Sequence, residues 1–462
     1  MTVTWLMAPL AIIQGVYAKY YGLPLTTLAA IILLARLFDT LSDPVIGYYS
    51  DRYASRTGSR KPFMVVGGLL FIVSSYFLYV PVGLSSITNN ELDALNISPS
   101  ISAAYFTSWF ILLYLAWTLF EIPHITWGAE LTKTSNEKTQ IYSFRSVAGY
   151  LGILFFYAVP LLPIFETNEI TPSTLKVSVI AAGLLMLPFL FICLKKTPNG
   201  FHRDTLPSAK NCHSSTARKN SQELGLLLQI LIGNKPFLLF VTAYLCSNIG
   251  IGMWYGLIFI HVDTYLNLGN QFAQMFLLSY VVGIMAIPAW YKIAVVLGKH
   301  ITWVLAAVLL LISFFYTGTL KPGETSFGEL AFLKTVQTLG FTCLSVIAPA
   351  MLSEIADYST WKTGIERNAS YFSCFTFISK ISGALATSLG LGIAGWYGLD
   401  AMASTQTKDG IFGLTLAIAW LPTASMLVAL VFIVLSPINS HRHGIVQRRL
   451  DARAVRARFV EK

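Results

Sequence analysis

An apolar segment with two acidic residues in its middle decides the fold: residues 36–48 read RLFDTLSDPVIGY. Asp39 and Asp43 are four positions apart, so a helix places both on one face, with Arg36 one turn before them. A charged side chain in membrane hydrocarbon is unfavourable by roughly 2.5–3.5 kcal/mol on insertion scales. We therefore expect both carboxylates to face a bundle interior or a water-filled cavity, as a site for an ion, a proton or a substrate. The structural alternative is an ion pair with Arg36.

The composition is that of a membrane protein with many spans. Of 462 residues, 55% are hydrophobic and 12% are charged, and the mean hydropathy is +0.63, far outside the range of a water-soluble domain. A helix needs about 20 apolar residues to cross a bilayer, so the sequence predicts an all-α membrane protein with twelve transmembrane helices. The predicted spans are 3–21, 25–49, 62–83, 101–127, 143–164, 176–195, 236–263, 271–293, 301–320, 327–352, 369–397 and 411–436.

The positions of the Lys and Arg that give the net charge of +10 indicate membrane topology rather than nucleic-acid binding. If the N-terminus is cytoplasmic, the inside loops and the tail hold most of the Lys and Arg. The outside loops then hold only Lys176, Lys321 and Lys408, with Lys19 at a helix end. Positively charged loops stay on the cytoplasmic side. We therefore expect a multi-pass protein of the inner (plasma) membrane with both termini cytoplasmic, no nucleic-acid partner, and a basic tail near anionic lipid headgroups.

A long polar interruption divides the predicted spans six and six. We expect an N-terminal six-helix bundle at 1–195, a cytoplasmic linker at 196–234, a C-terminal six-helix bundle at 235–436 and a basic cytoplasmic tail at 437–462. Two bundles with a site between them near the membrane midplane is the architecture of alternating-access transporters.

Glu121 and Lys380 are further charged residues within predicted spans. Glu121, near Thr118 and Trp127, is a candidate for sugar binding, because an acid binds hydroxyls and an indole packs on the apolar sugar face. Its structural alternative is an acid at a helix end near water. Lys380 lies in mid-span, too deep to reach water easily, and needs a carboxylate partner, for which the second-span aspartates are the candidates.

Other polar residues have stronger structural alternatives. Arg145 opens the fifth span, where a basic side chain ordinarily reaches for the cytoplasmic boundary. His124 follows a proline and is more often a packed, hydrogen-bonded residue. Lys334, about two turns into the tenth span, fits either a functional or a boundary role.

The loop after the second span is rich in charge. Asp51 with Arg52, Arg56 and Arg60 predicts a gating cluster of salt bridges that forms in one conformation and breaks in the other. The alternative is ordinary positive charge on the cytoplasmic side.

Several separate motifs together resemble one transporter family. They are the loop from Gly47 to Lys61, Arg36 with Asp39 and Asp43-Pro44, Glu121-Ile122-Pro123, Phe144-Arg145, Asp357-Tyr358 with Lys362 and Gly364, and Lys380. The loop resembles the signature between helices 2 and 3 of the major facilitator superfamily. The set resembles the glycoside–pentoside–hexuronide:cation symporters, typified by melibiose permease.

The resemblance implies roles for named residues. It implies a coupling-cation site at Asp39, Asp43, Ser42 and Thr118, a sugar site at Glu121, Arg145 and the Trp127 region, and a coupling role for Lys380 between them. The first helix offers Gln14 and Tyr17 for substrate, where melibiose permease has an acid.

The sequence thus predicts a secondary active transporter that couples Na⁺ or H⁺ to the symport of a small polar solute, a sugar or glycoside, by alternating access. We expect a monomer in the lipid bilayer without a cofactor or a resident metal. Within transport, the alternative is a cation-coupled carrier of lysophospholipids or other amphiphiles. Outside transport, it is a membrane sensor or scaffold on the same fold. An enzyme is not expected, since no catalytic motif occurs.

The charge distribution predicts a membrane topology that reporter fusions can test. Reporter fusions at position 210 and in the tail should be cytoplasmic, and a fusion near position 90 should be external, because basic loops are retained inside. Paired alkaline phosphatase and fluorescent-protein fusions measure this. A cytoplasmic signal at position 90 would contradict the twelve-span arrangement.

Overall fold

A computed structural model describes residues 1–81, 101–131, 135–198, 233–363, 368–403 and 405–436, together with residue 449. Most of the predicted linker and nearly all of the predicted tail lie outside the described residues. The boundaries proposed for the two bundles, the linker and the tail therefore stay predictions.

The described residues are all helical apart from short connections, in twelve successive helices numbered α1 to α12. Helix α1 is built from Thr2–Met7, a 3₁₀ turn at Ala8–Ala11, and Ile13–Tyr21. The N-terminal half continues with α2 (Leu25–Thr57), α3 (Lys61–Tyr79), α4 (Ala103–Glu130), α5 (Ser135–Ala158, then a 3₁₀ turn at Val159–Leu161) and α6 (Pro172–Lys196). The C-terminal half contains α7 (Lys235–Ile260, extended by a π-helical turn at His261–Tyr265), α8 (Gly269–Leu297), α9 (Lys299–Thr317), α10 (Phe327–Thr363), α11 (Asn368–Trp396) and α12 (Lys408–Thr415, a π-helical turn at Leu416–Trp420, and Leu421–Val434).

The prediction of a helical membrane protein with many spans is confirmed, with one local difference in α1. Ten helices of the described part are long and apolar enough to cross a membrane. The other two apolar segments are shorter, Thr2–Ala11 and Val147–Leu161. In α1, Pro9 lies in the 3₁₀ turn, and because proline has no N–H it cannot continue the α-helical ladder. In α5, the side chains of residues 135–143 and 146 lie outside the described part, and the apolar segment that starts at Val147 is the part of this helix that the structure describes fully.

The two halves meet along three pairs of helices: α2 packs on α11, α5 on α8, and the second part of α1 on α7. Small residues allow the close approach. A Cβ placed on Gly395 of α11 would lie 3.0 Å from the Cβ of Leu25, and one on Gly15 of α1 would lie 2.5 Å from the Phe259 ring. Both contacts lie toward the predicted outer ends of these helices.

Ionic and aromatic contacts reinforce the same end. Lys19 of α1 pairs with Asp263 after α7, with 2.6 Å between Nζ and Oδ2. Tyr157 of α5 stacks on Phe276 and Tyr280 of α8, with ring centroids 4.9 and 5.8 Å apart. The predicted outer end therefore adds an ion pair and an aromatic stack to the contacts between the halves.

Helices α3 and α4 touch through Gly67, and this contact fixes α4, which carries Thr118 and Glu121. A Cβ on Gly67 would lie 2.7 Å from the backbone nitrogen of Phe120 and 2.8 Å from the carbonyl carbon of Leu119. Backbone atoms cannot rotate away, so the two helices would have to separate.

We expect Gly67→Ala to destabilise the protein by about 1–3 kcal/mol, the usual range for overpacking. The matched control is Gly328→Ala, because a Cβ on Gly328 of α10 would meet nothing within 4 Å. Thermal unfolding of the purified protein in detergent measures both. Equal unfolding temperatures for the two variants would contradict the tight α3–α4 contact.

Candidate functional site

Two aspartates of α2 and a threonine of α4 form the centre of a buried polar cluster. The Asp39 side chain is 1% exposed and that of Asp43 is 25% exposed. Thr118 Oγ1 lies 2.9 Å from Asp39 Oδ1 and 3.2 Å from Asp43 Oδ1. A hydroxyl carries one proton, so it donates to one carboxylate at a time. Thr118 therefore draws the two acids together but leaves one of them in need of another donor.

Lys380 of α11 completes the cluster from the other half of the molecule. Its Nζ lies 3.5 Å from Asp39 Oδ2 and is in close contact with Asp43 Oδ2. With both acids ionised, two carboxylates and one ammonium leave a net charge of −1. The arrangement therefore has the charge to take up one monovalent cation or one proton.

The ion pair considered for Arg36 is not the arrangement found. The Arg36 guanidinium lies over the Tyr114 ring, 4.6 Å from its centroid. In the described part of the chain, no ion pair joins Arg36 to Asp39 or Asp43. The acids are partnered across the two halves instead of within α2.

Further oxygen atoms lie near the acids on α2. Pro44 lies inside the helix and has no N–H, so it leaves the Thr40 carbonyl without its usual helical partner. The Ser42 hydroxyl donates to the Asp39 carbonyl oxygen at 3.0 Å and is not bonded to either carboxylate. Ser42 therefore lies beside the cluster, and its predicted part in cation binding stays a prediction.

A second group of polar residues lines a cavity of about 360 Å³ in the N-terminal half. Glu121 of α4 and Arg145 of α5 form an ion pair on its wall, where their side chains are 17% and 37% exposed. Trp117 and His124 line the same cavity. Spaced by four and three positions, Trp117, Glu121 and His124 share one helical face. The rest of the lining includes Met7, Met64, Met186, Phe189 and Leu190.

His124 and Trp117 join the site although the sequence favoured other residues. The His124 ring stacks on Phe120 at 5.4 Å, and its Nδ1 has no hydrogen-bond partner among the described residues. A partnerless nitrogen on a cavity wall is suited to a solute hydroxyl. The spacing of Trp117 and Glu121 was the signal that could have identified this tryptophan.

Three predicted substrate residues lie away from this cavity. Trp127 is buried, and its indole N–H donates to the Pro198 carbonyl at 3.1 Å. Tyr17 is buried and donates to the Leu78 carbonyl at 2.6 Å. The Gln14 amide donates to the Ala11 carbonyl at 2.8 Å. Their side chains thus serve the packing of α1 and α4, and their predicted binding roles stay untested.

The predicted gating residues are only partly brought together. Arg60 is buried and donates to Ser50 Oγ at 3.0 Å, whereas Arg56 and Arg52 are exposed. The Asp51 side chain lies outside the described residues. Gating therefore stays a prediction.

Helix α4 connects the two groups. Thr118 turns toward the acids of α2, and Glu121, one turn further on, turns toward the cavity. One turn of helix rises about 5.4 Å. A shift of α4 would therefore move both Thr118 and Glu121.

Comparisons with known proteins assign the chain to a family of transporters. A family model described as MFS/sugar transport protein matches residues 1–440. The uncharacterized symporter YjmB of Bacillus subtilis is 22% identical over 456 residues, covering 94% of this chain and 90% of that protein. The glucuronide carrier protein homolog of Escherichia coli is 22% identical over 440 residues, covering 95% and 90%.

Solved structures share the fold. The nucleoside transporter NupG matches with a TM-score of 0.59 and 12% identity, covering 95% of this chain and 100% of that one. A D-xylose-proton symporter matches with a TM-score of 0.59 and 16% identity, covering 94% and 95%. At these identities, the likeness establishes the architecture alone.

The two tryptophans of α4 give a direct test of the site. We expect Trp117→Ala to weaken binding of the best ligand from a panel of sugars and glycosides roughly tenfold, since a stacked ring contributes on the order of 1 kcal/mol or more. Trp127→Phe removes the N–H bonded to Pro198 and makes the ring smaller, away from the cavity, so this variant should bind within twofold of the wild type. Titration calorimetry measures both. The reverse order would move the solute toward Pro198.

Proposed function

Because the chain belongs to the MFS/sugar transport protein family, we propose that it is a cation-coupled symporter of a sugar or glycoside that works by alternating access. The observation that carries this proposal is the cluster of Asp39, Asp43, Thr118 and Lys380, which has a net charge of −1 and joins the two halves. We place it in the inner (plasma) membrane as a monomer with cytoplasmic termini.

The coupling cation binds at the two aspartates. Na⁺ takes oxygen ligands, which Asp39, Asp43 and the Thr118 hydroxyl supply together. A proton shared between the two acids would serve equally, because crowded carboxylates hold one proton readily. Either cation weakens the attraction of Lys380 to the pair, and so loosens the contact of α2 with α11.

The solute binds at the neighbouring cavity. Glu121 accepts hydrogen bonds from sugar hydroxyls, Arg145 donates to sugar oxygens, and the Trp117 ring covers an apolar sugar face. The relative named as a glucuronide carrier protein homolog supports a sugar derivative as the solute class. Through α4, solute at Glu121 biases the position of Thr118 and therefore the cation site.

An amphiphile is the second candidate solute. It is favoured by the apolar side of the cavity, to which Met64, Met186 and Leu190 contribute. An alkyl chain or an apolar aglycone would pack there. Binding measurements with methyl and octyl forms of one glycoside separate the two: tighter binding of the octyl form supports the amphiphile.

The two kinds of binding should separate by mutation. Asp43→Asn keeps the shape of the side chain and removes its charge, so we expect it to abolish the stimulation of uptake by Na⁺ or by a pH gradient. Glu121→Gln should weaken solute binding about tenfold or more while cation binding stays within a few-fold. Calorimetry with each ligand, and uptake into proteoliposomes, measure these effects.

A pair of threonines on α4 supplies the control. Thr118→Val removes the hydroxyl that bonds the acids, whereas Thr107→Val removes one that bonds only the Ala103 carbonyl of its own helix. Only Thr118→Val should weaken cation binding. Uptake by Asp43→Asn that responds to the cation as in the wild type would refute the site. Binding without any transport would favour a sensor.

A further inference from the structure

Lys334 of α10 is a buried lysine that the proposed transport cycle does not use. The residue is 2% exposed, and its Nζ has no hydrogen-bond partner among the described residues. The ion pairs of the described chain also leave it without a carboxylate. Burying an ammonium group in this way is unfavourable in free energy unless another group compensates its charge.

Aromatic rings from three helices surround the ammonium group and form what we call the lysine cage. The distances from Nζ to the ring centroids run from 4.4 to 5.9 Å. The rings are Trp254 and Tyr255 of α7, Phe276 and Tyr280 of α8, and Phe341 of α10. Ring faces attract a cation, so the cage compensates part of the charge. A ring face is a weaker hydrogen-bond acceptor than an anion. The N–H groups of Lys334 therefore remain without a conventional acceptor.

A small cavity adjoins the cage, with a volume of about 10 Å³, close to the room that one water needs. Lys334, Trp254 and His261 line it, and Trp254 Nε1 and His261 Nδ1 also lack partners among the described residues. The Trp254 group can only donate. Gln337, on the same wall, donates its amide to Thr317 Oγ1 at 3.2 Å. Lys334 and Trp254 thus offer donors to this space, and His261 offers a third in the tautomer that carries its proton on Nδ1. A small acceptor with negative charge would satisfy these donors and compensate the ammonium.

We propose that Lys334, Trp254 and His261 form a binding site for one small monovalent anion of halide size. The site is distinct from the Glu121–Arg145 cavity, because its residues all belong to the C-terminal half. Two cage rings, Phe276 and Tyr280, also stack on Tyr157 of the other half. Anion binding would therefore be sensitive to the contact between α5 and α8. The proposal does not depend on the coupling cation or on the sugar site.

The first test is thermal unfolding of the purified full-length protein in detergent at constant ionic strength. Chloride replaces morpholinoethanesulfonate, an anion too bulky for the cavity. We expect a saturable rise of about 2 °C in the unfolding temperature at ten times the dissociation constant. Lys334→Met, which keeps an unbranched chain that fits among rings, should lose the rise. Lys321→Met removes a lysine whose side chain is 66% exposed, and it should keep the rise.

Bromide quenching of tryptophan fluorescence is the second test and needs no lysine variant. Bromide quenches an indole on contact, so a fraction of the wild-type fluorescence should be quenched by bromide and protected by chloride. Trp254→Phe should lose that fraction. Competition then tests the size of the anion that the site accepts. Chloride should protect this fraction, whereas glucuronate, which is as bulky as morpholinoethanesulfonate, should not; equal protection by both anions would contradict a site of this size.

The proposal fails if chloride gives no rise beyond that of the bulky anion and protects no fluorescence. It also fails if Lys334→Met folds and responds to chloride as the wild type does. Either result would mean that the five rings alone compensate the buried ammonium.

Discussion

The contact of Lys380 with Asp39 and Asp43 is the interaction on which the rest of the structure depends. None of these charges would be stable alone in an apolar bundle, and together they still leave one negative charge. The three residues come from α2 and α11, so satisfying their charges requires the two halves to stay in contact. In the proposed transport cycle, a cation bound to the two acids would weaken their attraction to Lys380 and so the contact between the halves.

Helix α4 links the charged cluster of Asp39, Asp43 and Lys380 to the cavity. Its position is set by close contact with α3 at Gly67, where backbone meets backbone. Thr118 and Glu121 are then presented on adjacent faces of one rigid rod. In the proposed transport cycle, coupling of cation and solute therefore needs no long chain of intermediates, because a displacement of α4 moves both Thr118 and Glu121.

Much of the fold could be predicted because it follows from local rules. The length of the apolar segments predicted the helices, and spacing by four placed Asp39 and Asp43 on one face. The pairing with Lys380 was predicted because few other charges occur within the spans. The orientation of Gln14 could not be predicted, since the break at Pro9 interrupts the helical phase of α1. The lysine cage could not be predicted either, because its rings come from three helices and no periodicity in the sequence shows that they lie together.

The stack of Tyr157 on Phe276 and Tyr280 has a mechanical consequence. The ring planes are only 24° from parallel in both pairs. Nearly parallel faces can slide over one another by an ångström or more while they keep most of their contact area, whereas interlocked aliphatic side chains must first separate. At this stack, α5 and α8 can therefore slide along the ring planes more easily than they can separate in the direction of the ring normals.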